Sequence, residues 1–252
     1  MMNSPISAPV VCLHSLFLDP RMFDGLAAAG DGRIRVLAPE LLGQVSRVGE
    51  VSRTVTMEDV TEDVLAAIDA AGLERYSLVG QSMGGDVAVR IAARRPAAVE
   101  KLVLLGSSAR AQTREDLGEF ADLPDRIERE GFTREIVDIV MTIMFGAGTL
   151  ADESRRDIHE MWRGRIAELS PGLVHAVRGV FEREGCLELL PSIQAPTLIV
   201  SGTEDLGRPP AWSDELFEGI PDARLLRYKQ GHSPILEAPG LVAPLVLDFL
   251  TT

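Results

Sequence analysis

The chain has 252 residues, 46% of them apolar, enough for one large α/β domain plus an insertion or for two small domains with a full-sized core, which excludes disorder as a description of the whole. Its 38 acidic residues outnumber 25 basic ones, for a formal charge of −13, and no basic cluster interrupts that surface. It repels phosphate backbones and anionic headgroups, so nucleic acid is not an expected partner.

The first strand expected is Val10–His14, a continuous apolar run behind an N-terminus, MMNSPISAP, that carries no basic residue and does not read as a signal peptide. Ile34–Ala38 and Tyr76–Gly80 repeat the pattern, as a parallel sheet covered on both faces requires. Between them lies a helix over Thr56–Gly72. Thr56 and Asp59 form a capping-box-like start, Val60, Val64, Ala67, Ile68 and Ala71 an apolar stripe, and Gly72 a stop. A helix over Gly84–Arg95 and a strand over Val99–Gly106 follow. Strand, helix and strand in series mean right-handed βαβ units.

From Ala109 to Leu190 no strand-like run occurs. The periodicity predicts helices over Thr133–Phe145, Glu153–Leu169 and Leu173–Glu184. Strands return at Thr197–Ser201 and Arg224–Tyr228, and a helix over Val242–Leu250 ends the chain. The organisation expected is a core of residues 1–108 and 191–252, with residues 109–190 inserted as an all-helical lid over the carboxyl edge of the sheet. No run approaches the roughly 18 apolar residues that span a bilayer. Cys12 and Cys186 are too few for a disulfide framework or a zinc site and read as buried thiols. The expectation is a soluble, cytoplasmic protein that binds no membrane.

Gly80-Gln81-Ser82-Met83-Gly84 is a G-x-S-x-G pentapeptide between a strand and a helix, the setting in which a sharp turn exposes a nucleophilic serine. A serine hydroxyl needs a base within hydrogen-bond reach, and the chain order on such a sheet is serine, acid, histidine. Asp205, just past the strand ending at Ser201, fits the acid; Glu204 beside it is an alternative, because either carboxylate serves. His232, just past the strand ending at Tyr228, fits the base. His159 and His175 fall on helices of the insertion, and His14 reads as a brace for its loop rather than a catalytic group. Acyl transfer also needs oxyanion donors, assigned to the backbone N–H groups of Met83 and of Leu16 in the loop His14-Ser15-Leu16-Phe17. Phe17, Met144, Phe145 and Trp162 are candidates to line the pocket. Asp86, one turn past Ser82, reads as a satisfied polar residue where helix meets lid.

The segments Leu13–Leu16, Val79–Gly85, Ala195–Asp205 and Gly231-His232 with Glu237 resemble the α/β-hydrolase superfamily over nearly the whole chain outside the lid. Leu13–Phe23 is similar to its enol-lactonase and carboxylesterase branch, where Ser-Leu often stands for the usual His-Gly. The resemblance implies an α/β, doubly wound, all-parallel sheet of about six strands, lacking the antiparallel hairpin that many relatives place first. It also implies hydrolysis of a small ester or lactone through an acyl-enzyme, with no cofactor and no metal. Ala38–Gln44 departs from the Asp-x-Arg-Gly-His-Gly pattern usual at that place.

Ser82 excludes the dehalogenases and epoxide hydrolases, which carry aspartate at the elbow. Ser233 and Pro234 after His232 argue against the hydroxynitrile lyases, which resemble a pattern with lysine there. Cofactor-free C–C bond hydrolases, perhydrolases and oxygenases share the framework and stay open, as does a small-molecule receptor retaining the triad. With no hairpin, Ile34–Ala38 should be an edge strand, covered by Leu41–Val51 or paired in a homodimer, so monomer and homodimer are both open.

Overall fold

The computed structural model describes residues 8–252. Any hairpin in residues 1–7 lies outside the described residues. Six strands form one sheet, β1 (Val10–Leu13), β2 (Val36–Leu37), β3 (Tyr76–Gln81), β4 (Val99–Leu105), β5 (Thr197–Gly202) and β6 (Ala223–Tyr228), in the order β2-β1-β3-β4-β5-β6. Every pairing is parallel. The runs in β1, β3 and β5 are buried at every residue. Helices cover both faces, which is why these strands read as unbroken apolar segments rather than alternating ones.

Helices α1 (Asp24–Gly30), α2 (Met57–Ala70) and α3 (Met83–Arg94) connect the first four strands. The start of α2 is the expected box: Thr56 Oγ1 accepts from the Asp59 N–H, and the Asp59 carboxylate accepts from the Thr56 N–H. Gly72, at φ +65°, ends it. The buried face is Val60, Val64, Leu65 and Ile68, with Thr61 tucked in by a 2.7 Å bond from its hydroxyl to the Met57 carbonyl. Ala71, expected on that stripe, is exposed because the helix has ended before it.

Between β4 and β5 the described structure holds helices joined by loops and no strand: α4 (Arg114–Leu117), α5 (Leu123–Glu130), α6 (Arg134–Met144), α7 (Ala147–Leu150), α8 (Arg156–Ala167) and α9 (Val174–Phe181), with short 3-10 turns. The helix expected to reach Glu184 stops at Phe181, and the chain then turns Arg183 inward, its side chain fully buried. Helix α10 (Pro210–Gly219) joins β5 to β6, and α11 (Pro234–Glu237) and α12 (Pro239–Thr251) close the chain. Among the described residues no helix is long and apolar enough to cross a membrane.

The β2 strand is at the edge, as expected, but shrinks to Val36–Leu37, with a single neighbour. Residues 41–51 make contacts at the carboxyl end of the sheet: the Leu41 N–H donates to His14, the Gln44 amide to Met83 Sδ at 3.4 Å, and Arg47 pairs with Asp63 of α2. From β1 the strand order runs to β2 on one side and to β3 and onward on the other, and the carboxyl ends of strands at such a switch form the crevice where α/β sheets bind ligands.

Candidate active site

Register brings the crevice together. Leu13 pairs with Gly80, so the loop after β1 and the turn after β3 emerge side by side. Gly202 pairs with Tyr228, and the ladder continues past both strands through Thr203 N–H to Tyr228 O (2.8 Å) and Glu204 N–H to Gln230 O (2.9 Å). The turns holding Asp205 and His232 are therefore fixed to each other before either side chain is considered.

Ser82 sits between β3 and α3 at φ 54°, ψ −114°, a conformation non-glycine residues rarely adopt and which costs on the order of 1–3 kcal/mol. Its N–H is held at 2.9 Å by the Leu105 carbonyl. A Cβ on Gly80 would overlap the Gly84 carbonyl, and one on Gly84 the Leu13 carbonyl. The two glycines of the motif thus mark where three backbones touch, and that contact holds the strained turn in place.

His232 Nδ1 lies 2.9 and 3.0 Å from the two Asp205 oxygens, and the pair is buried. Asp205 Oδ1 also accepts the Arg208 N–H at 2.7 Å, so the carboxylate faces donors on both sides. A proton on Nδ1 leaves Nε2 with its lone pair. The Gln81 amide, adjoining Ser82, donates to the His232 carbonyl and ties the elbow to the histidine turn. Glu204 points elsewhere, accepting from the Gly148 N–H at 2.8 Å.

Glu237 is the anchor of the histidine turn. Its buried carboxylate accepts from the N–H groups of Gly231, Ser233 and Gly146, each at 2.9 Å, and from the Thr149 hydroxyl at 2.6 Å. Glu237→Ala orphans three buried N–H groups at roughly 1–3 kcal/mol apiece. The expected result is a loss of about 3 kcal/mol or more in urea denaturation, with a fall in kcat as the turn loosens; unchanged stability would show that the anchor is dispensable.

After β1, Phe17 takes φ +65°, and its ring meets Phe132 edge-on with centroids 6.2 Å apart. The N–H groups of Leu16 and Met83 donate to no protein acceptor among the described residues. His14 has both ring nitrogens committed: Nδ1–H donates to the Ser15 carbonyl (2.9 Å) and Nε2 accepts the Leu41 N–H (3.1 Å). It braces the loop, and burial pulls its pKa down to about 4. The unfolded chain takes up that proton near 6.5. Stability is therefore full above pH 6.5 and falls as pH drops toward 4, by up to about 3 kcal/mol. Denaturation of wild type and His14→Gln across this window should show the difference only in wild type; parallel curves would refute it.

The expected pocket residues fall into the helical packing. Met144 and Phe145 are buried, with the Phe145 ring 6.0 Å from His159 of α8, and buried Trp162 lies under the Arg165 guanidinium at 4.8 Å. His175 lies on α9. Cys12 and Cys186 are free buried thiols, Cys186 pushed up to about 12 by burial. Asp86 is buried and bonds Arg90 at 2.8 Å, with Arg183 of the helical segment 3.7 Å away. Sequence reasoning missed Gln81 as a tie, and it missed the buried arginines 183 and 208, because nothing in a sequence tells an inward arginine from a solvated one.

The sequence profile of the alpha/beta hydrolase family matches residues 10–245. Among curated proteins, the chain is 27% identical over 257 residues to a pimeloyl-[acyl-carrier protein] methyl ester esterase of Aromatoleum aromaticum, covering 98% of each. It is 30% identical over 190 residues to a 2-hydroxy-6-oxononadienedioate/2-hydroxy-6-oxononatrienedioate hydrolase of a Pseudomonas species, covering 73% of this chain and 65% of that one. Among solved structures, the enol-lactonase of Burkholderia xenovorans superposes with a TM-score of 0.87 at 28% identity, covering 97% of this chain and 92% of the other. With the family match running from the first strand into the last helix, the chain belongs to the alpha/beta hydrolase family.

Proposed function

We propose that this hydrolase cleaves a small carboxylic ester or lactone through an acyl-enzyme on Ser82. The observation that carries the reading is the strained serine between β3 and α3, tied through Gln81 to a buried His232–Asp205 pair. His232 Nε2 takes the Ser82 proton as Oγ attacks the carbonyl carbon, and the Leu16 and Met83 N–H groups receive the oxyanion. His232 then protonates the leaving alkoxide. Water, deprotonated by the same imidazole, releases the acid and restores Ser82. Asp205 holds the imidazole tautomer and balances its transient charge. Residues 109–190 act as a lid whose inner face sets specificity.

The esterase and enol-lactonase relatives support the ester and lactone reading. The relative named for an oxo-dioate supports a second one, in which the same groups hydrolyse a carbon–carbon bond, since that substrate name contains no ester. A panel of short p-nitrophenyl esters, lactones and oxo-dienoates, with fluorophosphonate labelling of Ser82, tests both. Ester or lactone turnover with labelling is expected; turnover of the oxo-dienoate alone would favour the second reading, and neither turnover nor labelling would leave a receptor.

A further inference from the structure

Residues 146–155, in the helical segment between β4 and β5, are bonded to both turns that carry the His232–Asp205 pair. On the histidine side, Glu237 Oε2 accepts the Gly146 N–H at 2.9 Å and the Thr149 hydroxyl at 2.6 Å. The same carboxylate holds the N–H groups of Gly231 and Ser233, one residue either side of His232. On the acid side, Glu204, next to Asp205, accepts the Gly148 N–H at 2.8 Å. Gly146 lies between the two turns: a Cβ built on it would come within 2.7 Å of the Gly231 nitrogen and 2.9 Å of Glu204 Oε2. Its backbone, at φ −67° and ψ 151°, is one that any residue adopts. Glycine is therefore required there by space alone.

Arg155 adds a second tie. Its Nη2 donates to the Leu236 carbonyl at 2.6 Å and its Nη1 to the Glu237 carbonyl. These are the last two carbonyls of α11, which a helix end leaves without intrahelical donors. Helix α11 starts where His232 ends, and the Ser233 carbonyl accepts the N–H groups of Leu236 and Glu237 at 2.9 Å each. Both ends of this single helical turn are thus fixed, the first by the Glu237 carboxylate on the Ser233 N–H and the last by Arg155. Catalysis makes that rigidity matter. His232 has to keep Nδ1 on Asp205 while Nε2 meets Ser82 Oγ, and a shift of about 1 Å in such a constellation costs on the order of 10²-fold in rate.

Resting on the triad reading above, we propose that Thr149 and Arg155 are positioning residues for His232: through Glu237 and α11 they hold the imidazole in line with Asp205 and Ser82, and so set kcat rather than substrate affinity. The helical segment then serves the chemistry as well as specificity.

The test is steady-state kinetics and thermal denaturation of Thr149→Val, Thr149→Ser, Arg155→Met and Arg155→Lys, on the best p-nitrophenyl ester. Valine keeps the shape of threonine without the donor and serine restores it; methionine keeps an apolar stem and lysine restores a charged donor. Thr149→Val and Arg155→Met are each expected to lower kcat by about fivefold to thirtyfold, with KM within about twofold of wild type. Thr149→Ser and Arg155→Lys should recover most of that loss. Fluorophosphonate labelling should slow in step with kcat, since it draws on the same Ser82–His232 pair. A rise in KM at unchanged kcat would overturn the proposal, because the segment would then shape the pocket only. A lower melting temperature at unchanged kcat would overturn it too, as the mark of a purely structural brace, and so would a loss of kcat that serine and lysine fail to recover. Should Arg155→Met not fold, Thr149→Val and Thr149→Ser decide. All these outcomes leave the esterase reading intact. Absent ester turnover together with absent labelling in wild type would overturn that reading, and the positioning role with it.

Discussion

Ser82→Ala is expected to lower ester turnover by about 10⁴-fold or more, with the fold intact. The turn is held by backbone: the Leu105 carbonyl on the Ser82 N–H and the glycine contacts at Gly80 and Gly84. Losing one hydroxyl removes none of these. Alanine keeps the left-handed strain that serine already carries, so urea denaturation should shift little. His232→Ala should fall nearly as far, because nucleophile and base act as a unit. His14→Ala should act instead through stability, since its ring nitrogens bond only the Ser15 carbonyl and the Leu41 N–H. Residual kcat within tenfold of wild type in Ser82→Ala would remove it as nucleophile, and a His14 variant as dead as the His232 one would reassign the base.

The second large effect is expected from Asp205→Asn, with kcat down by about 10³–10⁴. Asp205 faces donors on both sides, the His232 Nδ1 and the Arg208 N–H. An asparagine has one oxygen to offer. With that oxygen on the Arg208 N–H, its NH₂ group faces Nδ1 and accepts no proton from it, so the imidazole shifts its proton to Nε2 and loses the lone pair that activates Ser82. Glu204→Gln should do far less, because Glu204 bonds the Gly148 N–H away from the imidazole. Steady-state kinetics on a p-nitrophenyl ester compare the two; the reverse order would move the acid to Glu204.

The residues that determine the sheet could be read directly, because their signal is local. Nearly continuous apolar runs at Val10, Tyr76, Leu102 and Thr197 mark strands buried on both faces, and the Thr56–Asp59 box marks a helix start. The elbow was equally legible, since a strand, two glycines around a serine and a helix follow one another without interruption. Where local signals conflict with packing, the sequence was a poorer guide. The helix from Leu173 has a period that runs on to Glu184, yet it ends at Phe181, because Arg183 gains a bond to Gln112, far away in the chain.

By itself, then, the sequence determined the parallel α/β sheet, the helical stretch between β4 and β5, and the order of Ser82, Asp205 and His232, all of which depend on periodicity and short-range turn chemistry. Only the tertiary structure decided which carboxylate faces His232, that Gln81 and Glu237 anchor its turn, and that Arg183 and Arg208 share Gln112 in a buried cluster near Asp205. Each of these depends on where side chains from distant segments meet. Neighbouring Glu204 and Asp205 look alike in a sequence, and the direction of a turn beyond β5 is what separates them.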